Sequence, residues 1–424
     1  MVQFSLWGRG ADGPTDGWGS GGKSQCEYVW GSNKEDLVKW RAQDKQTVVS
    51  HYIPYARDPN SSHTTVWWKE RHPEMILYKC DRKTVARSFD DKNMQLDFSS
   101  EAVIQWQLNG SDNFYSVEAI AARGYDAIAA DNYGFSNGWG ACGVYRDGQW
   151  VQLYDPHGSA TNYTQANVWW IQKFYAGVKK IKSARGLPML LTPNWGIGGS
   201  ERWDDPSVLA VGNATDGALS ECGFTGCASR LSSGFEWEQK VWFMLNLQAH
   251  GKAYMDNSYW GCNSTNMPQP HPKGWGAPLA MNHSSISYIL GTYLMGKAQA
   301  ASLYIAPDDC FTVENGTCDC PGLWQKGGIL SYPEFQADVG RPMGEMRQVH
   351  VHGNSTAGGV WLREYSKALI MVNSQHGVLD AAPAGSGVAV TLPSGKQYTD
   401  LWGHAVKGGV VKLPPLGAAI LLLG

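Results

Sequence analysis

The sequence predicts an α/β fold: a (β/α)₈ barrel of the TIM type followed by a smaller all-β domain, an antiparallel sandwich. Three observations predict it. Short apolar runs of small residues alternate with helical runs up to about residue 340. Several of these runs end abruptly in Asp, Asn or Glu, where α/β barrels carry their chemistry. From about residue 341 short strand-like runs are parted by Gly, Pro, Ser and Asn. The expected division is an irregular, Gly-rich arm over 1–25, a barrel over 26–340 and a sandwich over 341–424.

CEYVWG, from Cys26, reads as the first strand, and NKEDLVKWRAQDK as a polar helix with Asn33 as N-cap. TVVSHYIPYARD is the second strand and EMILYKCD the third, ending in Lys79, Cys80 and Asp81. SVEAIAARG is a short helix leading into GYDAIAADNYGFSN, the stretch around which the chain is organised. There Tyr125 to Ala130 reads as a buried parallel strand, with Asp131 and Asn132 at its C-terminal end. The loop from Tyr133 to Asn162 is long enough to suggest function, and GWGACGVYRDGQWVQLYD within it is consistent with a hairpin.

Val168, Ile171, Tyr175, Val178 and Ile181 mark an amphipathic helix. LPMLLTPNWG is the fifth strand, ending in Asn194 and Trp195, and DGALSECGF the sixth, with Glu221 near its end. FEWEQKVWFMLNLQAHG is a helix stopped by Gly251. KAYMDNSYWG is the seventh strand, with Asp256 and Asn257; SSISYILGTYLMGKAQA is a helix and ASLYIAP the eighth strand. VWLREYS, KALIMVN, GVAVTLP, KQYTDLWG and GAAILLL supply the sandwich.

A formal charge of −3 over 424 residues, with no long basic run, argues against nucleic acid and anionic membranes. No apolar stretch is long enough to span a bilayer. Trp 20 and Tyr 19 against 17% charged residues suit stacking on sugar rings, beside a large aromatic core. Asn-X-Ser/Thr sequons at Asn60, Asn109, Asn162, Asn213, Asn263, Asn282, Asn315 and Asn354, together with nine Cys, favour secretion and N-glycans. The start MVQFSLWGRG lacks a leader pattern, so a mature secreted chain whose leader was removed or replaced is expected. Cys222 with Cys227, and Cys310 with Cys318 or Cys320, are candidate disulfides. An odd count leaves a thiol free or paired with another chain.

In such a barrel the strand-end groups converge on one mouth: Lys79, Asp81, Asp131, Asn132, Asn194, Trp195, Glu221, Asp256 and Asn257. Glycoside cleavage needs one carboxyl to protonate the leaving oxygen and another, ionised, to attack the sugar or activate water. Asp131 and Glu221 are the expected pair. The structural alternatives are Asp131 as a turn cap and Glu221 bonded to the Cys222–Cys227 loop. Burial of Glu221 among strand ends is expected to raise its pKa. Asp256 either steadies positive charge and binds hydroxyls or is structural. Lys79 holds the nucleophile, grips an acidic sugar, or is a solvated lysine. Tyr52, Tyr55, Tyr133, Trp195, Tyr259 and Trp260 are stacking walls or core. His350 and His352 share a strand face, but without an evident third ligand no metal is expected. No cofactor is expected either, for there is no P-loop, nucleophile elbow or dinucleotide fingerprint. The glycines of NWGIGGS could take phosphate, though no convincing helix follows.

HPEMILYKCD, LDFSSEAVIQWQL, GYDAIAADN and DGALSE together resemble the barrel of glycoside hydrolases of the glycosyl-hydrolase-like superfamily. The chain is similar, too, to the wider set of α-galactosidase-type and endo-α-galactosaminidase-type barrels, from about Cys26 through the terminal β domain. The resemblance implies Asp131, on strand 4, as nucleophile and Glu221, on strand 6, as general acid/base. It also leans to α-linked galactose-like sugars. The chain departs from the pattern by Glu rather than Asp at the second position, which leaves the stereochemical outcome open. The expectation is a secreted two-carboxylate glycosidase of the retaining type. Its rivals are a non-catalytic carbohydrate-binding protein on an inactive barrel and a metal-dependent barrel hydrolase.

Overall fold

The computed structural model describes residues 3–6, 26–32, 34–43, 46–55, 57–58, 60, 63–88, 93–155, 161–198, 201–226, 230–260, 283–298, 301–307, 337–351, 358–376 and 387–424. Among the described residues, eight parallel strands follow one another in chain order. β1 (Gln3–Leu6), β2 (Cys26–Ser32), β3 (Val48–Pro54), β4 (Ala127–Asp131) and β5 (Leu190–Pro193) form one sheet. β6 (Gly217–Glu221), β7 (Ala253–Trp260) and β8 (Ala301–Pro307) form another. A parallel bridge between Asn194 and Leu219 joins β5 to β6. β8 lies beside β1, without a ladder between them among the described residues.

Two expectations are corrected here. The arm is not wholly irregular: Gln3–Leu6 is the first strand, paired in parallel with β2. EMILYKCD is not a barrel strand. Its residues make antiparallel bridges, Ile76 with Leu96 and Tyr78 with both Val85 and Gly143. Met75 to Tyr78 are all buried because Leu77 faces the main core while Met75, Ile76 and Tyr78 face a second one around Trp68, Leu96 and Trp106. A run buried on both faces mimics a parallel strand.

The helices are α1 (Lys34–Gln43), α2 (Thr65–Arg71), α3 (Glu101–Asn109), α4 (Val117–Ala122), α5 (Thr161–Val178), α6 (Pro206–Asn213), α7 (Gly234–Ala249) and α8 (His283–Gly296). Ser116 caps α4 by accepting from the Ala119 N–H. The stripe expected on α5 buries Ile171 and Val178, joined by Trp170 and Phe174. The Asn33 cap lies outside the described residues. No described helix is long and apolar enough to cross a membrane.

Inside the strands, Tyr28 and Trp30 pack on Ala127, Ala129, Leu219 and Met255, so the alanines of β4 make room for the rings of β2. An Asp precedes each of the two carboxylate-ending strands and locks it to its neighbour. Asp126 Oδ2 accepts from the Val49 N–H at 3.1 Å and is paired with Arg41. Asp216 Oδ2 accepts from the Leu191 N–H at 2.9 Å and is paired with Lys179 at 3.1 Å. These pairs lie at the N-terminal ends of the strands, where barrel residues serve stability.

A disulfide joins Cys80 to Cys142 across 62 residues, fastening the segment after β3 to the loop after β4. That loop carries the expected hairpin, Gly143–Arg146 with Gln149–Gln152. Asp147 and Gly148 turn it at φ 50° and 74°, the left-handed pair that a two-residue hairpin demands. Cys222 is also disulfide-bonded. Cys227, Cys310, Cys318 and Cys320 lie outside the described residues.

The C-terminal part holds an antiparallel sheet and a two-stranded ribbon. The strands are β9 (Arg347–Val351), β10 (Gly359–Tyr365), β11 (Ala368–Asn373), β12 (Val388–Thr391), β13 (Tyr398–Thr399), β14 (Val410–Leu413) and β15 (Ala418–Leu423). The sheet runs β9-β10-β11-β15-β13, and β12 pairs with β14. Val360, Leu362, Leu369, Met371, Val390, Leu413 and Leu421 fill the space between them. α8 is buried from Ser285 to Gly296 because this sheet covers it. Gly291 leaves only 3.0 Å to Ala418 Cβ for an added Cβ. Arg363 Nη1 donates to the carbonyls of Leu294, Met295 and Lys297 at 3.1, 2.6 and 2.8 Å, satisfying the C-terminal end of that helix. His350 lies on β9; His352 is outside the described residues, and no metal-ligand cluster occurs among the described ones.

Candidate active site

Side chains alternate across a strand, so Asp131 shares a face with Ala127 and Ala129, Glu221 with Leu219, and Asn257 with Met255. Those apolar residues pack in one buried cluster, so all three polar groups stand on the face that carries it. Ladder register sets Glu221 beside Asn257, and Asn194 follows β5 between Asp131 and Glu221.

Three donors converge on the Asp131 carboxylate. Tyr52 Oη donates to Oδ2 at 2.6 Å, the Asn132 amide donates to the same oxygen, and Asn194 Nδ2 donates to Oδ1 at 2.8 Å. Burial and the neighbouring Asp131 charge push the Tyr52 phenol well above its usual range, so it stays protonated and donates. Asn132 takes φ 59°, a left-handed turn that Asn tolerates and that folds its amide back onto Asp131. Asn194 Nδ2 also donates to Glu221 Oε2 at 2.5 Å, while its Oδ1 accepts from the Glu221 N–H at 3.3 Å. Sharing one nitrogen caps the distance between those two carboxylate oxygens at about 5.3 Å.

Asp131 is buried, but Glu221 is exposed. The expected burial of Glu221 does not occur, because β6 ends there and Cys222, at φ 65°, turns the chain away.

Other expected site residues are placed elsewhere. Asp81 sits in an exposed turn, accepting from the N–H groups of Lys83 and Thr84 at 2.9 and 2.8 Å. Bonds from the Thr84 hydroxyl and those amides hold its carboxyl down at about 2. Lys79 opens the same turn and joins neither Asp131 nor the cavity beside it. Asp256 is fully buried, accepting from Tyr254 Oη at 3.0 Å and Ser258 Oγ at 2.6 Å. Burial pushes its carboxyl up to about 6. Gly223 covers it so closely that an added Cβ would lie 2.1 Å from Asp256 Oδ1, which closes it off from substrate.

Trp195 is core, packed edge-on against Phe243 at 5.0 Å and beside Tyr133 and Phe135. Tyr133 is buried too, donating to the Asn167 carbonyl at 2.9 Å. Tyr55 is largely core but one edge faces the cavity. Asn257 is fully buried, and neither amide atom has a hydrogen-bond partner among the described residues. Trp260 ends β7, as Tyr259 nearly does; their side chains lie outside the described residues.

A cavity of about 280 Å³ opens beside Asp131. Its lining includes Tyr55, Asp131 and Asn132, but also Arg57, Trp139 and Glu201, which the sequence did not single out. Only Trp139 left a signal, as a Gly-flanked aromatic in the long loop after β4.

No protein-family model and no curated protein sequence matches the chain. Solved structures do. The trehalulose synthase of Pseudomonas mesoacidophila MX-45 is 9% identical, with a TM-score of 0.52 over 100% of this chain and 99% of that one. An isomaltulose synthase mutant from Erwinia rhapontici NX5, in complex with its natural substrate sucrose, is 10% identical, with a TM-score of 0.50 over 100% and 98%. A cycloalternan-degrading enzyme from Trueperella pyogenes, 11% identical, reaches only 0.39, and the chain spans about half of it: 92% of this chain against 51% of that one. The first two show a shared fold, a barrel-type α/β part followed by a C-terminal all-β part. Neither of the first two is an α-galactosidase by name, so the lean to galactose finds no support in them.

Proposed function

We propose that the chain is a glycosidase, with Asp131 as nucleophile and Glu221 as general acid/base. The observation that carries this reading is the Asn194 amide shared by the two carboxylates, at 2.8 and 2.5 Å. A cap of about 5.3 Å between those oxygens matches the roughly 5–5.5 Å of retaining enzymes better than the wider gap of inverting ones. Asp131 attacks the anomeric carbon while Glu221 protonates the departing oxygen. Water, giving its proton to Glu221, then displaces Asp131 and releases the sugar. The exposure of Glu221 suits a group that must meet both an aglycone and an incoming water.

Secretion with N-glycosylation belongs to the same reading. It is supported by the Cys80–Cys142 disulfide and by the exposure of Asn109, Asn162 and Asn213.

The test is a panel of aryl glycosides and polysaccharides given to wild type, Asp131→Asn and Glu221→Gln. Cleavage of any member, reduced about 10³-fold or more in both variants with folding intact, supports the assignment. Wild-type turnover in either variant removes that residue from its role. Equal sugar binding by all three proteins with no cleavage favours the non-catalytic carbohydrate-binding alternative.

A further inference from the structure

We infer that the cavity beside Asp131 is a subsite for one uncharged sugar ring and that Glu201 reads its hydroxyls; this rests on the glycosidase reading above. Glu201 stands at the end of NWGIGGSE, the stretch after β5 whose glycines suggested a phosphate loop. Its Oε2 accepts from the Gly198 N–H at 2.6 Å. That bond fixes the side chain and fills a backbone donor with the chain's own carboxylate. A phosphate arriving there would meet an anion instead of an open N–H. Oε1 has no protein donor among the described residues, and an ionised carboxylate can only accept, which suits it to hydroxyl donors.

Charge points the same way. Among the described residues, the cavity lining holds two carboxylates, Asp131 and Glu201, against one guanidinium, Arg57. Arg57 Nη2 donates to Tyr52 Oη at 3.2 Å, and Tyr52 donates to Asp131, so its charge is directed to the nucleophile's side. A net negative lining disfavours phosphorylated and uronic sugars. Lys79, the cation expected to grip an acidic sugar, is not part of the lining. At about 280 Å³ the cavity lies just below the roughly 300–1,000 Å³ range of ligand pockets, room for one ring rather than a chain. Trp139, 40% exposed at the rim, offers that ring a flat apolar face.

The experiment measures kcat and KM on the best aryl glycoside, with inhibition by the matching free monosaccharide, for wild type, Glu201→Ala and Glu201→Gln. Loss of charged hydrogen bonds should raise KM and the inhibition constant about tenfold or more in Glu201→Ala, with kcat changed far less. Glu201→Gln, which keeps the shape, should fall between, and inorganic phosphate should not compete. Unchanged KM and inhibition constants in Glu201→Ala overturn the inference and leave the glycosidase reading standing, as does competition by phosphate or a uronic acid. If wild type cleaves nothing, monosaccharide binding followed by tryptophan fluorescence decides. A neutral sugar bound by wild type and lost in Glu201→Ala supports the subsite, and no binding overturns it.

Discussion

Asn194 donates to Asp131 Oδ1 at 2.8 Å and so fixes one oxygen of a carboxylate that belongs to the neighbouring strand. Its other contacts reach Glu221, so one amide sets the spacing of the proposed pair. Asn194→Ala should lower kcat/KM about 10²-fold, mostly through kcat, the scale of losing one positioned donor. Asn194→Asp should be worse, because it sets a third carboxylate between two. A steady-state comparison beside thermal melts checks both, and wild-type kcat in Asn194→Ala would contradict the bridging role.

A buried carboxyl and a half-buried imidazole oppose each other in acid. Burial pushes Asp256 up to about 6 from 3.8, so the folded state holds a proton that the unfolded chain has lost; this contribution favours folding at low pH and fades as pH rises through 6. Burial pushes His51 down to about 4 from 6.5, so the unfolded chain binds the extra proton; its contribution grows as pH rises from 4 to 6.5. Each is worth on the order of 3 kcal/mol, and they largely cancel between pH 4 and 6. Asp256→Asn should therefore make the melting temperature climb across this window, and His51→Gln should make it fall. Parallel profiles in wild type and both variants would exclude the pair as the source.

The strand count was legible, though two misreadings offset each other. β1 has only four residues in a Gly-rich setting, too short for periodicity to register. The run Met75 to Tyr78 reads as a strand because two different cores bury its two faces. Numbering from Asp131 onward was therefore unaffected. Asp131, Asn194 and Glu221 were legible because polarity interrupts a buried run at each strand end. Tyr52 was legible as a site residue but not in its role, which is to donate to Asp131 rather than to stack. Arg57 and Glu201 reach the cavity from irregular segments, where no period announces which way a side chain points. Asp256 carries the same strand-end signature as Glu221, but strand alternation sets it on the face opposite Asn257, where the Gly223 turn folds over it.

The Cys80–Cys142 disulfide closes a long loop, which loop entropy values at about 4 kcal/mol before strain. The same junction is held by backbone bonds, Tyr78 N–H to the Gly143 carbonyl and Cys142 N–H to the Tyr78 carbonyl, each 2.8 Å. The double variant Cys80→Ser/Cys142→Ser should therefore lose about 2–4 kcal/mol in chemical denaturation and keep its kcat. A collapse of kcat with the fold intact would mean that the disulfide, not the backbone pairing, shapes the cavity wall.

The sequons divide by what the folded chain does with each asparagine. Asn109 and Asn213 end α3 and α6, Asn162 lies in the first turn of α5, and all three are exposed. Asn60 is different. Its Nδ2 lies 3.1 Å from His63 Nε2, and His63 stacks on Trp67 with ring centres 3.8 Å apart. His63 in turn bonds Asp58, whose other oxygen accepts the Asn60 N–H at 2.9 Å. A glycan on that nitrogen would replace the bond to His63 and pull at the cluster that closes the segment after β3. Expression through a eukaryotic secretory pathway should yield folded protein glycosylated at Asn109, Asn162 and Asn213 and bare at Asn60. Peptide mapping after enzymatic deglycosylation in heavy-oxygen water reads each site separately. Full occupancy of Asn60 in folded, stable protein would show that the Asp58–His63–Trp67 cluster tolerates the loss, and three bare exposed sites would count against the secretory route.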